Sequence, residues 1–134
     1  IEAGYRYFDT ASLYGTERVL GQAVKESGIP REEFIIASKV WHDEMGYDNT
    51  KLAFSRSLER LQTEYLDLYL IHWPKASQED ENWKQHIIDT WRAMEELVEE
   101  GKIKARQLYE KQGFITTEPW KIIGENFHHM VKEV

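Results

Sequence analysis

Residues 34–41 read FIIASKVW, a near-continuous apolar run that acquires Lys39 just before it ends. Such a run suits a strand covered on both faces, the situation of an inner strand in a parallel sheet. Upstream of it, Ser27-Gly28-Ile29-Pro30 stops a helix that starts after Thr16. That helix places Val19, Leu20, Ala23 and Val24 at spacings expected of one apolar face. Further back, YRYFDT at 5–10 is short, aromatic-rich and bounded by Gly4 and a Thr-Ala-Ser cluster, which favours another strand. Downstream, a second helix is expected from about Asp48-Asn49, with Leu52, Ala53, Ser55, Leu58 and Leu61 at helical spacing. A third strand follows in LDLYLIHW, residues 66–73, closed by Pro74. A third helix over 82–99 carries Ile87, Ile88, Trp91, Met94, Leu97 and Val98 and ends at Gly101. Strands that each lead into a helix imply right-handed crossovers and a parallel sheet, so the expected class is α/β.

Composition narrows the function classes. A chain of 134 residues, 41% of them hydrophobic, suffices for one compact domain. Its net charge of −7 is spread over mixed acidic and basic residues, with no basic block to neutralise phosphates. That argues against nucleic acid and against an anionic membrane surface. The absence of cysteine removes disulfides and thiolate metal sites and suits a reducing cytosol, so a cytoplasmic location is expected. No apolar stretch approaches the roughly 20 residues that span a bilayer, and no signal pattern opens the chain. Ile1-Glu2-Ala3-Gly4 leads at once into a strand without an initiator Met, and the expectation is that upstream sequence is missing.

In a parallel sheet the ligand site lies beyond the C-terminal strand ends. Asp9, Lys39 and His72 stand at or just after those ends, and Tyr14 lies on the loop after the first strand. Singly, each has an ordinary reading: a turn cap, a lysine reaching solvent, a histidine bonded to a carbonyl, an amphipathic ring. Together they suit proton transfer. Tyrosine, with a reference pKa of about 10, is a poor acid near neutrality, and a neighbouring ammonium improves it by favouring the ionised form. Lys39 supplies an ammonium, Asp9 a carboxylate to hold it, and His72 a polar ring to orient an oxygen beside the phenol. The set suits protonation of a developing alkoxide. Other polar groups carry less. His128-His129 are adjacent, so on a strand they point to opposite faces and do not easily share one ion. His42-Asp43-Glu44 invites a divalent cation but lacks ligands from a second segment, and a solvated loop is the better expectation. Glu95-Glu96 with Glu99-Glu100 reads as a charged helix face.

GYRYFDTASLYGTERVLG, residues 4–21, closely resembles the N-terminal signature of the aldo-keto reductase family, with Tyr7 where His or a small residue is more usual. The resemblance continues through SGIPREEFIIASKVW (27–41), LDLYLIHWP (66–74) and DTWRAMEELVEEGKIKA (89–105), covering about residues 1–105. It implies a (β/α)₈ barrel and hydride transfer between a nicotinamide cofactor, usually NADPH, and a small-molecule carbonyl or alcohol. It places Asp9, Tyr14, Lys39 and His72 where the family has its catalytic tetrad. By the resemblance Tyr14 is the general acid, Lys39 and Asp9 tune it, His72 positions the carbonyl, and Trp41 matches an aromatic that lines the substrate pocket. A full barrel takes about 250 residues, so the expectation here is a partial barrel of about three to four βα units. After Lys104-Ala105 the family pattern continues with a strand reading approximately I-G-V-S-N-F, whereas this chain reads RQLYEKQGF. The main NADPH-binding segments are therefore expected to be absent, and the cofactor-binding residues are not identified.

The tail resembles a different family. ARQLYEKQGF (105–114) followed by residues 115–134 is similar to the C-terminal end of an acetyl-CoA-dependent N-acetyltransferase, with Tyr109 matching a tyrosine that assists the leaving thiolate. That family's Gly-rich pyrophosphate loop has no counterpart. The resemblance implies a division into 1–105 and a divergent tail 106–134, with a C-terminal helix and an antiparallel strand pair. Open barrel edges predict homo-oligomerisation. The reading adopted is a reductase or a piece of one, ahead of a non-catalytic module that assembles with itself and an acetyltransferase-related chimera.

Overall fold

The structure, a computed structural model, describes residues 1–74 and 81–111, with Arg106 and Tyr109 as backbone only, and beyond them the backbone of four three-residue strands. Three parallel strands, β1 (Tyr7–Asp9), β2 (Ile35–Val40) and β3 (Leu68–Ile71), form one sheet in the order β1-β2-β3. Asp9 lies opposite Ala37, and Lys39 opposite Leu70. Each strand leads into a helix: α1 (Glu17–Glu26), α2 (Tyr47–Leu61) and α3 (Trp83–Glu99). After α3 the chain returns to the start of β3, where Leu66 N–H donates to Lys102 O at 2.9 Å and Lys104 N–H donates to Leu66 O at 2.8 Å. A short helix, α4 (Ala105–Lys111), follows. In the tail the backbone of 114–116 pairs with 130–132 and that of 120–122 with 125–127, antiparallel in both cases. His128 and His129 lie outside the described residues.

β2 is the inner strand, and Ile36, Ala37, Ser38 and Val40 are fully buried, as the apolar run predicts. Phe34, Ile36, Val40, Phe54, Leu61, Leu66, Met94, Leu97 and Ile103 join in one core between the sheet and the helices. Burying a side chain of this size contributes about 1.5–3 kcal/mol each, so this layer dominates the stability.

The buried helix faces differ from those the spacing suggests. In α1 the buried stripe is Glu17, Gly21 and Val24, with Leu20 beside it, while Val19 is 71% exposed and Ala23 faces out. In α2 it is Thr50, Ala53, Phe54, Ser57 and Leu61, and Leu52 and Ser55 face solvent. In α3 it is Thr90, Ala93, Met94 and Leu97, with Trp91 at the margin. The cause is polar pairing across elements: Ser38 bonds Glu17, and the Thr50 and Thr90 hydroxyls pair at 3.3 Å, so hydroxyls and a carboxylate occupy positions that hydrophobicity alone would not choose.

Gly21 lets α1 and α2 touch. A Cβ added there would stand 2.5 Å from both the carbonyl carbon and the oxygen of Leu61, which are backbone atoms that yield only if a helix moves. Gly21→Ala is expected to cost about 1–3 kcal/mol, the range for overpacking. A lowered urea midpoint at unchanged slope would register it, and an unchanged midpoint would show that the helices part freely.

Candidate active site

β1, β2 and β3 end on the same side of the sheet, and the polar residues read from the sequence gather there. Lys39 and Ser38 are neighbours on β2 and therefore point to opposite faces. Ser38 turns under α1, and Lys39 turns to the rim. Lys39 Nζ donates to Asp9 Oδ2 at 2.5 Å and to Thr10 O at 3.0 Å. The lysine side chain retains 14% exposure, and that of Asp9 42%. Tyr14 closes a single 3₁₀ turn, Ser12–Tyr14, and Gly15 follows at φ 68°, in the left-handed region that glycine enters without strain. Its Oη lies 3.4 Å from His72 Nε2, and the two rings meet edge to face. The ammonium of Lys39 sits 5.2 Å from the centre of the Tyr14 ring, within cation–π range. Trp41 is half-buried and meets the His72 ring edge-on at 4.9 Å between centres. All five residues singled out for the site thus lie together: Asp9, Tyr14, Lys39, Trp41 and His72.

His72 Nδ1 is buried with no partner among the described residues, which leaves Nε2 as the ring nitrogen facing the phenol. Burial lowers the His72 pKa below its ordinary 6.5, Lys39 lowers it further, and Asp9 opposes them. The neutral ring is favoured in the fold. Because the unfolded chain binds this proton more readily, stability from this group is complete above about pH 6.5 and declines as pH falls through the lower folded value. Lys39→Met is expected to raise the His72 pKa, since it deletes an opposing positive charge and leaves the Asp9 carboxylate unpaired. Following the His72 ring protons by NMR across pH 4–8 checks this, and a downward shift would contradict the arrangement.

Two acidic residues contribute in ways the sequence reading missed. Glu17 is 1% exposed, accepting from Ser38 Oγ at 2.6 Å and from Arg60 Nε at 2.6 Å. Its helical spacing with Leu20, Gly21 and Val24 puts it on the buried face, but the partners that satisfy it there come from β2 and α2, which no local pattern shows. Glu44 does not stand in a solvated loop: one oxygen accepts from Ser12 Oγ at 2.5 Å and from Trp41 N–H at 3.2 Å. Among the described residues no group of His, Asp or Glu is placed to hold a metal ion. Glu96, within the acidic face of α3, is engaged by Lys51 at 2.6 Å and by the Tyr47 hydroxyl, and Glu100 by Lys102 at 2.6 Å. No helix among the described residues is long and apolar enough to cross a membrane.

A cavity of about 410 Å³ lies at the other end of the sheet, near Lys25, Arg31, Gln62, Thr63 and Tyr65. Its polar groups serve each other. Arg31 donates to Thr63, to the carbonyls of Phe34 and Tyr65, and to Asp67 at 2.9 Å, while Lys25 donates to Gln62. That end holds the sheet together, and the chemistry-bearing groups are at the rim.

Residues 1–112 match the model of the aldo/keto reductase family. The chain is 51% identical over 105 residues to a 9,11-endoperoxide prostaglandin H2 reductase of Trypanosoma cruzi, covering 78% of this chain and 34% of that protein. It is 52% identical over 105 residues to a glyoxal reductase of Bacillus subtilis, covering 78% and 35%. Among solved structures it is similar to MGS-M4, an aldo-keto reductase from a Medee basin deep-sea metagenome library, with a TM-score of 0.71 at 47% identity over 78% of this chain and 36% of that one. It is also similar to a Bombyx mori aldo-keto reductase in complex with NADP, with a TM-score of 0.67 at 35% identity over 77% and 35%. The chain spans about a third of the length of the curated relatives it matches.

Proposed function

Since this chain belongs to the aldo/keto reductase family, we propose that its rim serves the NADPH-dependent reduction of an aldehyde or ketone to an alcohol, with Tyr14 as the general acid. The observation that carries the reading is the convergence of Tyr14 Oη on His72 Nε2, with the Lys39 ammonium beside the phenol ring. NADPH, when bound, supplies the hydride that reduces the carbonyl carbon. The chain's residues manage the oxygen. His72 Nε2 and Tyr14 Oη orient the carbonyl oxygen between them, and the phenol proton passes to it as negative charge develops. Lys39 stabilises the phenolate left behind, and Asp9 and Thr10 O hold the ammonium in place. Tyr14 is 48% exposed, so it recovers its proton from solvent. Trp41 forms an apolar wall for the substrate beside His72.

The same proposal takes the three strand-helix units as part of a (β/α)₈ barrel, supported by the likeness to solved reductases. It sets the tail after residue 105 apart, on the change of sequence there. The fit to NADPH rests on the proton-donor set, and no dinucleotide-binding residue is assigned among the described residues. Cofactor binding is therefore the deciding measurement. Titrating the purified chain with NADPH while following its five tryptophans is expected to give saturable quenching, and an added aldehyde is expected to consume NADPH absorbance. Absence of binding at millimolar NADPH would overturn the proposal for this chain.

A further inference from the structure

The turn that carries Tyr14 is entered through buried Thr10 and Ala11 and touches β2, but its tip is exposed. Residues 13–16 are all exposed, and Gly15 hinges the turn away from α1. What fixes it lies elsewhere in the sequence. Ser12, two residues before Tyr14, donates its hydroxyl to Glu44 Oε2 at 2.5 Å, and the same oxygen accepts the Trp41 amide at 3.2 Å. Glu44 is itself held, since its backbone N–H donates to Trp41 O at 3.0 Å and its carbonyl accepts from Thr50 Oγ1 at 3.3 Å, on the first turns of α2. One carboxylate oxygen thus joins the loop after β1 to the loop after β2. On the flanks of the turn the Thr10 and Thr16 hydroxyls also bond each other, and the Thr10 N–H donates to Ala37 O of β2 at 2.9 Å, which holds the start of the loop and leaves its tip to the Glu44 contact.

We propose that Glu44 is a positioning residue that latches the Tyr14 turn to the Trp41 loop, holding the phenol against His72. Hydrogen bonds from a hydroxyl or amide to a carboxylate are shorter and stronger than neutral ones, so this latch outweighs the sparse contacts of the turn's tip. Its bearing on catalysis rests on the proposed reductase reading, whereas the geometry itself does not.

The test uses the 134-residue chain and three variants, read by NMR without cofactor. Glu44→Ala is expected to speed amide exchange at Trp41 about tenfold, the effect of losing one charge-assisted hydrogen bond. It is also expected to weaken the Tyr14–His72 ring contacts and move the His72 titration upward as that ring becomes better hydrated. The groups facing His72 are Lys39, Asp9 and Tyr14, so deleting the Glu44 charge alone does not predict that shift. Ser12→Ala is expected to weaken the Tyr14–His72 contacts while leaving the Trp41 amide protected. Glu44→Gln retains an acceptor oxygen and is expected to restore both contacts. Wild-type exchange and ring contacts in Glu44→Ala would overturn the latch, as would a Gln variant as loose as the Ala variant. Should Glu44→Ala not fold, unchanged Tyr14–His72 contacts in Ser12→Ala would overturn it. Because none of these signals needs turnover, a chain that fails to bind NADPH would sink the reductase reading and leave the latch standing.

Discussion

Tyr14→Phe is expected to lower the rate of NADPH-dependent carbonyl reduction by about 10²–10⁴-fold, the usual worth of a positioned general acid. That corresponds to about 3–5 kcal/mol of transition-state stabilisation. The substitution removes one oxygen and little else. The phenyl ring still meets His72 edge to face and still lies under the Lys39 ammonium, so the shape of the rim is kept. What disappears is the O–H that delivers a proton while hydride reaches carbon. The loss should therefore fall on kcat, with cofactor affinity unchanged, because an interaction made only in the transition state leaves ground-state binding alone. Steady-state kinetics beside a fluorescence titration separates the two. A Tyr14→Phe variant that turns over within a few-fold of the parent would remove Tyr14 from the role of acid.

Arg60→Ala is expected to destabilise the fold by about 3–5 kcal/mol, the cost of stranding a buried charge. The reason is asymmetry within the pair. The arginine side chain is 29% exposed and loses modestly when deleted, but the Glu17 carboxylate left behind is 1% exposed and retains only the Ser38 hydroxyl as donor among the described residues. Domains of this size hold about 5–15 kcal/mol in total, so the variant approaches the edge of folding. Urea denaturation at neutral pH measures the loss, and a change below about 1 kcal/mol would mean that water reaches Glu17. Replacing both partners with apolar residues of similar volume is expected to recover most of the stability, because the stranded charge is the cost. The Lys51–Glu96 pair provides a contrast. Both partners are about one-third exposed, so water screens them and Lys51→Ala should move the urea midpoint far less than Arg60→Ala does.

These two substitutions, at Tyr14 and at Arg60, lie on opposite sides of what could be read in advance. The position of Tyr14 was legible because it depends on sequence order: a strand that ends on Asp9, a phenol five residues on, and a lysine and a histidine at the ends of the next strands. Parallel topology then forces the four together, and the structure brings them within contact distances of 2.5–5.2 Å. The elements were legible for a similar reason. The apolar run at 34–41, the stop at Gly28-Ile29-Pro30 and the break at Pro74 are local signals, and the strands and helices observed fall within a few residues of them.

Glu17 and Glu44 were not legible in that way. Seen locally, one is an acidic residue in the first turn of a helix and the other a charge in a polar loop, and both descriptions suit solvent. The partners of Glu17 lie 21 and 43 residues away, and although the Trp41 amide is only three residues from Glu44, its Ser12 partner lies 32 away, and no periodicity of 2 or 3.6 carries information over those distances. The same holds for the helix faces, where Val19 and Leu52 turn out to solvent while Glu17, Thr50 and Thr90 turn in. By itself the sequence determined the order of strands and helices, the parallel sheet and the four rim residues, because hydrophobic period and strand direction are local properties. Only the tertiary structure decided which polar groups are buried and what holds the Tyr14 turn in place, because a polar group can be buried only where a distant partner arrives to satisfy it.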